Sequence, residues 1–167
     1  MNKKRKTLLS ILIVMGLGLV LALSSCGAAS NGEEDKAAEN RAYMSQVSNI
    51  MDKLTTELED FNEAVAQDDF VTMRTQAEGA SKVLDEFDKL EVPDGLKDIH
   101  SEYLSGGNDL RDALSDYIEL SAEIEAATEE QPYDFKNYSS DLKEIQKKYD
   151  SGIDHLKEAD KKATEMP

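Results

Sequence analysis

Apolar side chains recur at intervals of three and four residues through four separate stretches of this chain, and no stretch sustains an apolar–polar alternation. A helix returns a residue to the same face about every 3.6 positions, a strand at every second one, so the spacing selects helix. The cleanest case is the second stretch, where Phe70, Met73, Ala77, Ala80, Leu84 and Phe87 advance in strict alternation of threes and fours. The first runs from about Lys36 to Ala66 and carries Tyr43, Val47, Ile50, Leu54, Leu58, Phe61 and Val65. The third, from Leu96 to about Thr128, carries Leu96, Ile99, Tyr103, Leu110, Leu114, Tyr117, Ser121 and Ile124. The fourth carries Phe135, Tyr138, Leu142, Ile145, Tyr149, Gly152, Ile153, Leu156, Ala159 and Ala163.

The breaks between stretches have their own chemistry. Gln67-Asp68-Asp69 interrupts the first stripe, and Asp69 is a good N-cap for the next helix. Val92-Pro93-Asp94-Gly95 ends the second, because a proline biases the residue before it away from helix. Thr128-Glu129-Glu130-Gln131-Pro132 forms the last turn. With linkers this short, consecutive helices lie antiparallel, and the expected fold is all-α: an up-down four-helix bundle over residues 36–167. Gly106-Gly107 is the one awkward point. Two glycines cost about 2 kcal/mol against alanine in a helix interior. The stripe nevertheless continues unshifted from Tyr103 to Leu110, which favours one helix with a weak point or kink.

Counting outward from turn centres near residues 68, 92 and 130 at about 1.5 Å per residue, the third and fourth helices overshoot the first turn by about 14 residues, roughly 20 Å. The resulting tip, residues 117–144, either stands proud of the bundle or folds back over the first turn. If it stands proud, Tyr117, Tyr133, Phe135 and Tyr138 become a candidate contact face for a partner. The same counting brings Gly79, Ala80, Gly106, Gly107 and Gly152 to one level. Such a layer of small residues either lets helices approach closely or leaves a pocket between them.

Charge narrows the partners. Four of the 19 basic residues and none of the 35 acidic ones precede Cys26, leaving 15 against 35 and a formal charge of −20 for residues 26–167. That surface repels nucleic acid and anionic lipid, so no nucleic-acid role is expected. Side chains for catalysis do not assemble into a pattern. There is no Gly-x-Ser-x-Gly elbow, phosphate-binding glycine loop or zinc-ligand pair, and His100 and His155 each lack the glutamate three residues before them that di-iron bundles use. The expectation is a non-enzymatic chain with no metal and no cofactor, its histidines on helix flanks.

The N-terminus says most about location. Lys3-Lys4-Arg5-Lys6 leads into an apolar run from Leu8 to Leu23, which ends in Leu23-Ser24-Ser25-Cys26-Gly27. A basic region, an apolar region and a small-residue site in that order form an export signal. Cys26 is the only cysteine, so it has no disulfide partner within the chain. An ordinary secretory signal with a chance cysteine and an uncleaved N-terminal helix are the alternatives. Residues 1–27 resemble a bacterial lipoprotein signal, whose lipobox is an aliphatic residue and two small residues before the cysteine. The resemblance implies cleavage between Ser25 and Cys26, diacylglycerol on the Cys26 sulfur and an anchor on the extracytoplasmic face of the membrane. Residues 26–35, small and polar, read as a flexible tether of at most ~35 Å. Beyond the signal the chain resembles, in general style alone, small helical lipoproteins of the bacterial surface. The expected function is a membrane-anchored helical module that binds a protein or envelope component. The alternative is a small-ligand or metal binder using the glycine-rich layer.

Overall fold

The computed structural model describes residues 31–166, with side chains from residue 35. The signal segment and the first half of the tether, residues 26–30 with Cys26, lie outside the described residues. Four helices form the domain: α1 (Asn31–Gln67), α2 (Phe70–Leu84), α3 (Lys97–Ala126) and α4 (Tyr138–Thr164), with no strand among the described residues. They run up-down-up-down. α3 and α4 make the most extensive pair, α1 packs on α2, and α2 bridges to α3. The stripes meet in one core in which Tyr43, Tyr103, Phe87, Met73 and Leu110 are almost wholly buried.

Local chemistry accounts for the turns. Asp68 takes the left-handed conformation (φ 58°), which a short polar side chain tolerates better than a branched one. Asp69 then caps α2, its Oδ1 accepting from the Thr72 N–H at 3.1 Å and its Oδ2 from the Thr72 hydroxyl at 2.7 Å. α3 runs unbroken through Gly106-Gly107, as the unshifted stripe implied.

Four expectations are corrected. α1 starts at Asn31, so the last part of the expected tether is helical. α2 ends at Leu84 rather than near Val92. Past it the Glu86 N–H bonds the Val83 carbonyl, a tighter 3₁₀ link, and Phe87 sits in a single 3₁₀ turn, Phe87–Lys89. Phe87 remains buried, stacked on Tyr103 with ring centroids 5.3 Å apart. α4 begins at Tyr138, which leaves Phe135 in the connection and off the helical stripe.

The fourth correction concerns the tip. Tyr43 pairs with His100, and Phe61 packs edge-on against Tyr117 at 5.7 Å. These contacts fix the relative height of α1 and α3. α1 continues six residues past Phe61, to Gln67, and α3 nine past Tyr117, to Ala126. The overshoot is therefore about 3 residues, roughly 5 Å, in place of about 14. The discrepancy arises in residues 85–96. Leu90 (ψ 135°) and Pro93 (ψ 144°) are extended, and extended chain advances about 3.3 Å per residue against about 1.5 Å in a helix. That segment covers axial distance that helical counting assigned to a longer α2.

Candidate functional site

The end of the bundle formed by the α1–α2 turn and the 127–137 connection carries the candidate contact face. Thr128 opens the connection with a local clasp: its N–H donates to the Gln131 carbonyl, and its hydroxyl accepts from the Gln131 N–H, both at 3.0 Å. Asp134 turns the chain next, its Oδ1 accepting from the Lys136 N–H at 3.1 Å. The Asn137 carbonyl then takes the Ser140 N–H at 2.8 Å and the Ser140 hydroxyl at 2.7 Å as α4 begins.

Between these anchors Tyr133, Phe135 and Tyr138 form a mutual edge-to-face triad, with centroid separations of 4.8, 5.8 and 6.5 Å. That arrangement suits the ring quadrupoles. The four aromatic residues read as a contact face divide here. Tyr117 (4% exposed) and Tyr138 (7%) belong to the core, Tyr133 is half-buried, and Phe135 stands 45% exposed. The tip folds onto the bundle because α3 barely outruns α1, which leaves Phe61 free to cover Tyr117. Burial, together with the carboxylates of Asp141, Glu123 and Asp134, raises the Tyr133 pKa, and burial beside Tyr133 raises that of Tyr138. Both phenols stay neutral at physiological pH.

Two features of this end escaped the stripe analysis. Val71, the one large apolar side chain besides the expected Phe135 left exposed among the described residues, opens α2 at this same end. Charge is also segregated here. Residues 54–73 and 117–142 together hold 13 carboxylates and a single basic residue, Lys136. Lys136 pairs with Asp134 at 3.2 Å, the only ion pair of these segments among the described residues. The ion pairs that bridge separate elements lie elsewhere, among them Lys53–Glu86, Arg111–Asp85, Lys148–Asp116 and Lys162–Glu102. The signal was present in the gaps between lysines and arginines, which follow no helical period.

The glycine layer closes. A Cβ added to Gly106 would lie 2.8 Å from the Gly152 carbonyl oxygen, so α3 and α4 touch backbone to backbone there. Gly107 faces Leu84 of α2 instead, and Gly79 faces the Glu57 carboxylate of α1. Gly106 and Gly152 are brought together, Gly79 and Gly107 are not, and direct contact fills the space a pocket at this layer would need.

The polar groups nearer the start of α1 hold helices together. The Tyr43 hydroxyl meets His100 Nδ1 at 3.0 Å, and burial lowers the His100 pKa against the opposing pull of Asp88. The fully buried Tyr103 donates to Asp160 Oδ1 at 2.6 Å. Glu102 accepts from Lys162 at 2.5 Å and meets His155 Nδ1 at 2.7 Å; those two hydrogen bonds lower its pKa. Among the described residues no three histidine, cysteine or acidic side chains stand close enough to hold a metal ion, and no helix is long and apolar enough to cross a membrane. Comparison with known proteins finds no family model that matches the chain, and no curated protein or solved structure that resembles it.

Proposed function

We propose that this chain is a lipid-anchored, extracytoplasmic binding module without enzymatic activity, and that the end bearing Phe135 receives a cationic protein or envelope partner. The observation that carries the reading is the coincidence of exposed Phe135 with 13 carboxylates faced by one lysine. Complementary potential steers a basic partner toward such a surface, and a solvent-facing aromatic ring supplies the apolar anchor. The anchor rests on the lipobox residues Leu23-Ser24-Ser25-Cys26, with the acylated Cys26 as the membrane contact. α1 runs from Asn31 to Gln67, so the Phe135 end lies about 55 Å from the start of α1, the helix that follows Cys26 in the sequence.

Two measurements test the two halves separately. Intact-mass analysis of the membrane fraction should show acyl mass on Cys26, and unmodified cysteine there refutes the anchor. Titration with a lysine-rich peptide carrying one phenylalanine should give binding that weakens steeply with salt and is lost in Phe135→Ser. Equal binding by that variant refutes the docking end.

A further inference from the structure

Lys136, the single basic side chain of residues 54–73 and 117–142, sits within the segment that carries the aromatic triad. It follows Phe135 directly, and its Nζ lies 3.2 Å from Asp134 Oδ2. The pair is barely held. Its two side chains keep 84% and 67% of their surface exposed, and an ion pair so open to water contributes almost nothing to stability. An alkylammonium group therefore already stands beside Tyr133, Asp134 and Phe135, on a flexible stem that is free to leave.

The surroundings of that group suit a cation. Carboxylates from three segments, Asp141 of α4, Glu123 of α3 and Asp134 of the connection, lie close enough to the Tyr133 phenol to add to the rise in its pKa that burial causes. The phenol stays neutral, so its ring, like that of Phe135, keeps the negative face that attracts a cation. Tyr133 and Phe135 meet edge to face at 4.8 Å, the buried Tyr138 contacts both, and Phe135 keeps 45% of its surface open. Small-molecule pockets bury roughly 70–90% of their ligand. A surface this open encloses no free amine, so its cation must arrive on a larger partner.

We infer that Tyr133, Asp134 and Phe135 form a receptor for the ammonium group of a lysine on the basic partner, and that this lysine displaces Lys136. The inference rests on the docking reading above and adds the chemical group that Phe135 receives: a cation held by the ring, not an apolar side chain packed on it. Lys136 is then a tethered competitor within the site.

The test uses the full chain in detergent and two versions of the lysine-rich peptide. In one, the lysine beside the phenylalanine is trimethyllysine; in the other, carbon replaces its nitrogen, which keeps the shape and removes the charge. The parent should prefer the charged version. Phe135→Leu keeps apolar bulk without a ring, and should lower that preference about 2- to 5-fold, the share a cation gains from an exposed ring. Lys136→Gln should tighten binding of the charged version more than Lys143→Gln, which removes the same charge from an exposed position on α4. Phe135→Leu with the preference intact, where Phe135→Ser has lost binding, leaves the docking end standing and overturns the receptor. Full binding by both Phe135 variants overturns the two together. Equal effects of the two lysine substitutions overturn the displacement of Lys136.

Discussion

Replacing Gly152 with alanine tests the close approach of α3 and α4 most directly. The added Cβ would lie 2.7 Å from Leu110 Cγ, 2.9 Å from the Gly106 carbonyl oxygen and 3.0 Å from the Leu110 nitrogen. Two of these are backbone atoms of α3, so no rotamer change relieves them, and the two helices must separate by about half an ångström. A gap of about 0.5–1 Å already forfeits a quarter to a half of each dispersion contact it opens, and Leu110 and Leu156 both lie in this interface. Overpacking a filled core costs about 1–3 kcal/mol, while alanine returns about 1 kcal/mol of helix propensity. With the loosened neighbours included, the expected loss is about 2 kcal/mol, or about 6–10 °C in Tm for a domain of this size. Gly79→Ala is the matched control. Its nearest neighbour is the tip of the Glu57 side chain, which can swing into solvent. The propensity gain then survives, and Tm should rise by about 3–5 °C. Thermal unfolding followed by circular dichroism reads both signs. A Gly152→Ala protein as stable as the parent, or equal losses from both substitutions, refutes the close-contact reasoning.

Asp69→Ala should lower Tm at neutral pH by removing the α2 cap. The hydrogen bonds from the Thr72 hydroxyl and N–H hold the Asp69 pKa below its ordinary 3.8. The cap's contribution is thus fully present above that value and lost as pH falls through the depressed one, so the melting curves of parent and variant should converge in strong acid. Tyr103→Phe should cost about 1–3 kcal/mol in urea melts, because it strands the half-buried Asp160 carboxylate. Burial raises the Asp160 pKa, so the parent should lose stability as pH rises from the ordinary carboxylate value through that raised one. Asp160→Asn should flatten that part of the profile, and an unchanged profile would refute the assignment.

Most of the core was legible in the order of residues, because burial along a helix repeats with the helix. Tyr43 through Val65 on α1 and Ile99 through Ile124 on α3 are buried at nearly every stripe position, Ser121 included. The axial register was not legible. It depended on residues 85–96, where two short 3₁₀ turns flank extended chain and leave no periodic mark, and the error placed Tyr117 and Tyr138 on an exposed tip. Pairs such as Tyr43–His100 and Tyr103–Asp160 were also out of reach, since they require the rotation of two helices relative to each other. At the candidate site, Phe135 was identified for the wrong reason: it is exposed because α4 starts three residues after it, not because a hairpin projects. The acidic end could have been found by noting that no lysine or arginine falls between Lys53 and Arg74, and only Lys136 between Arg111 and Lys143.

The α3–α4 pair has a consequence for how the chain comes into being. Besides Gly106 against Gly152, these two helices share Lys148–Asp116, Ser151–Asp109, His155–Glu102, Lys162–Glu102 and Tyr103–Asp160. The best-fastened half of the bundle is therefore the half synthesised last. At roughly 5–20 residues per second, α1 and α2 wait several seconds for it to emerge. Throughout that interval Val47, Ile50, Leu54 and Phe61 have only the short α2 to cover them. A nascent chain halted before α4 should accordingly be a good client for holdase chaperones and a poor one once Leu156 is out.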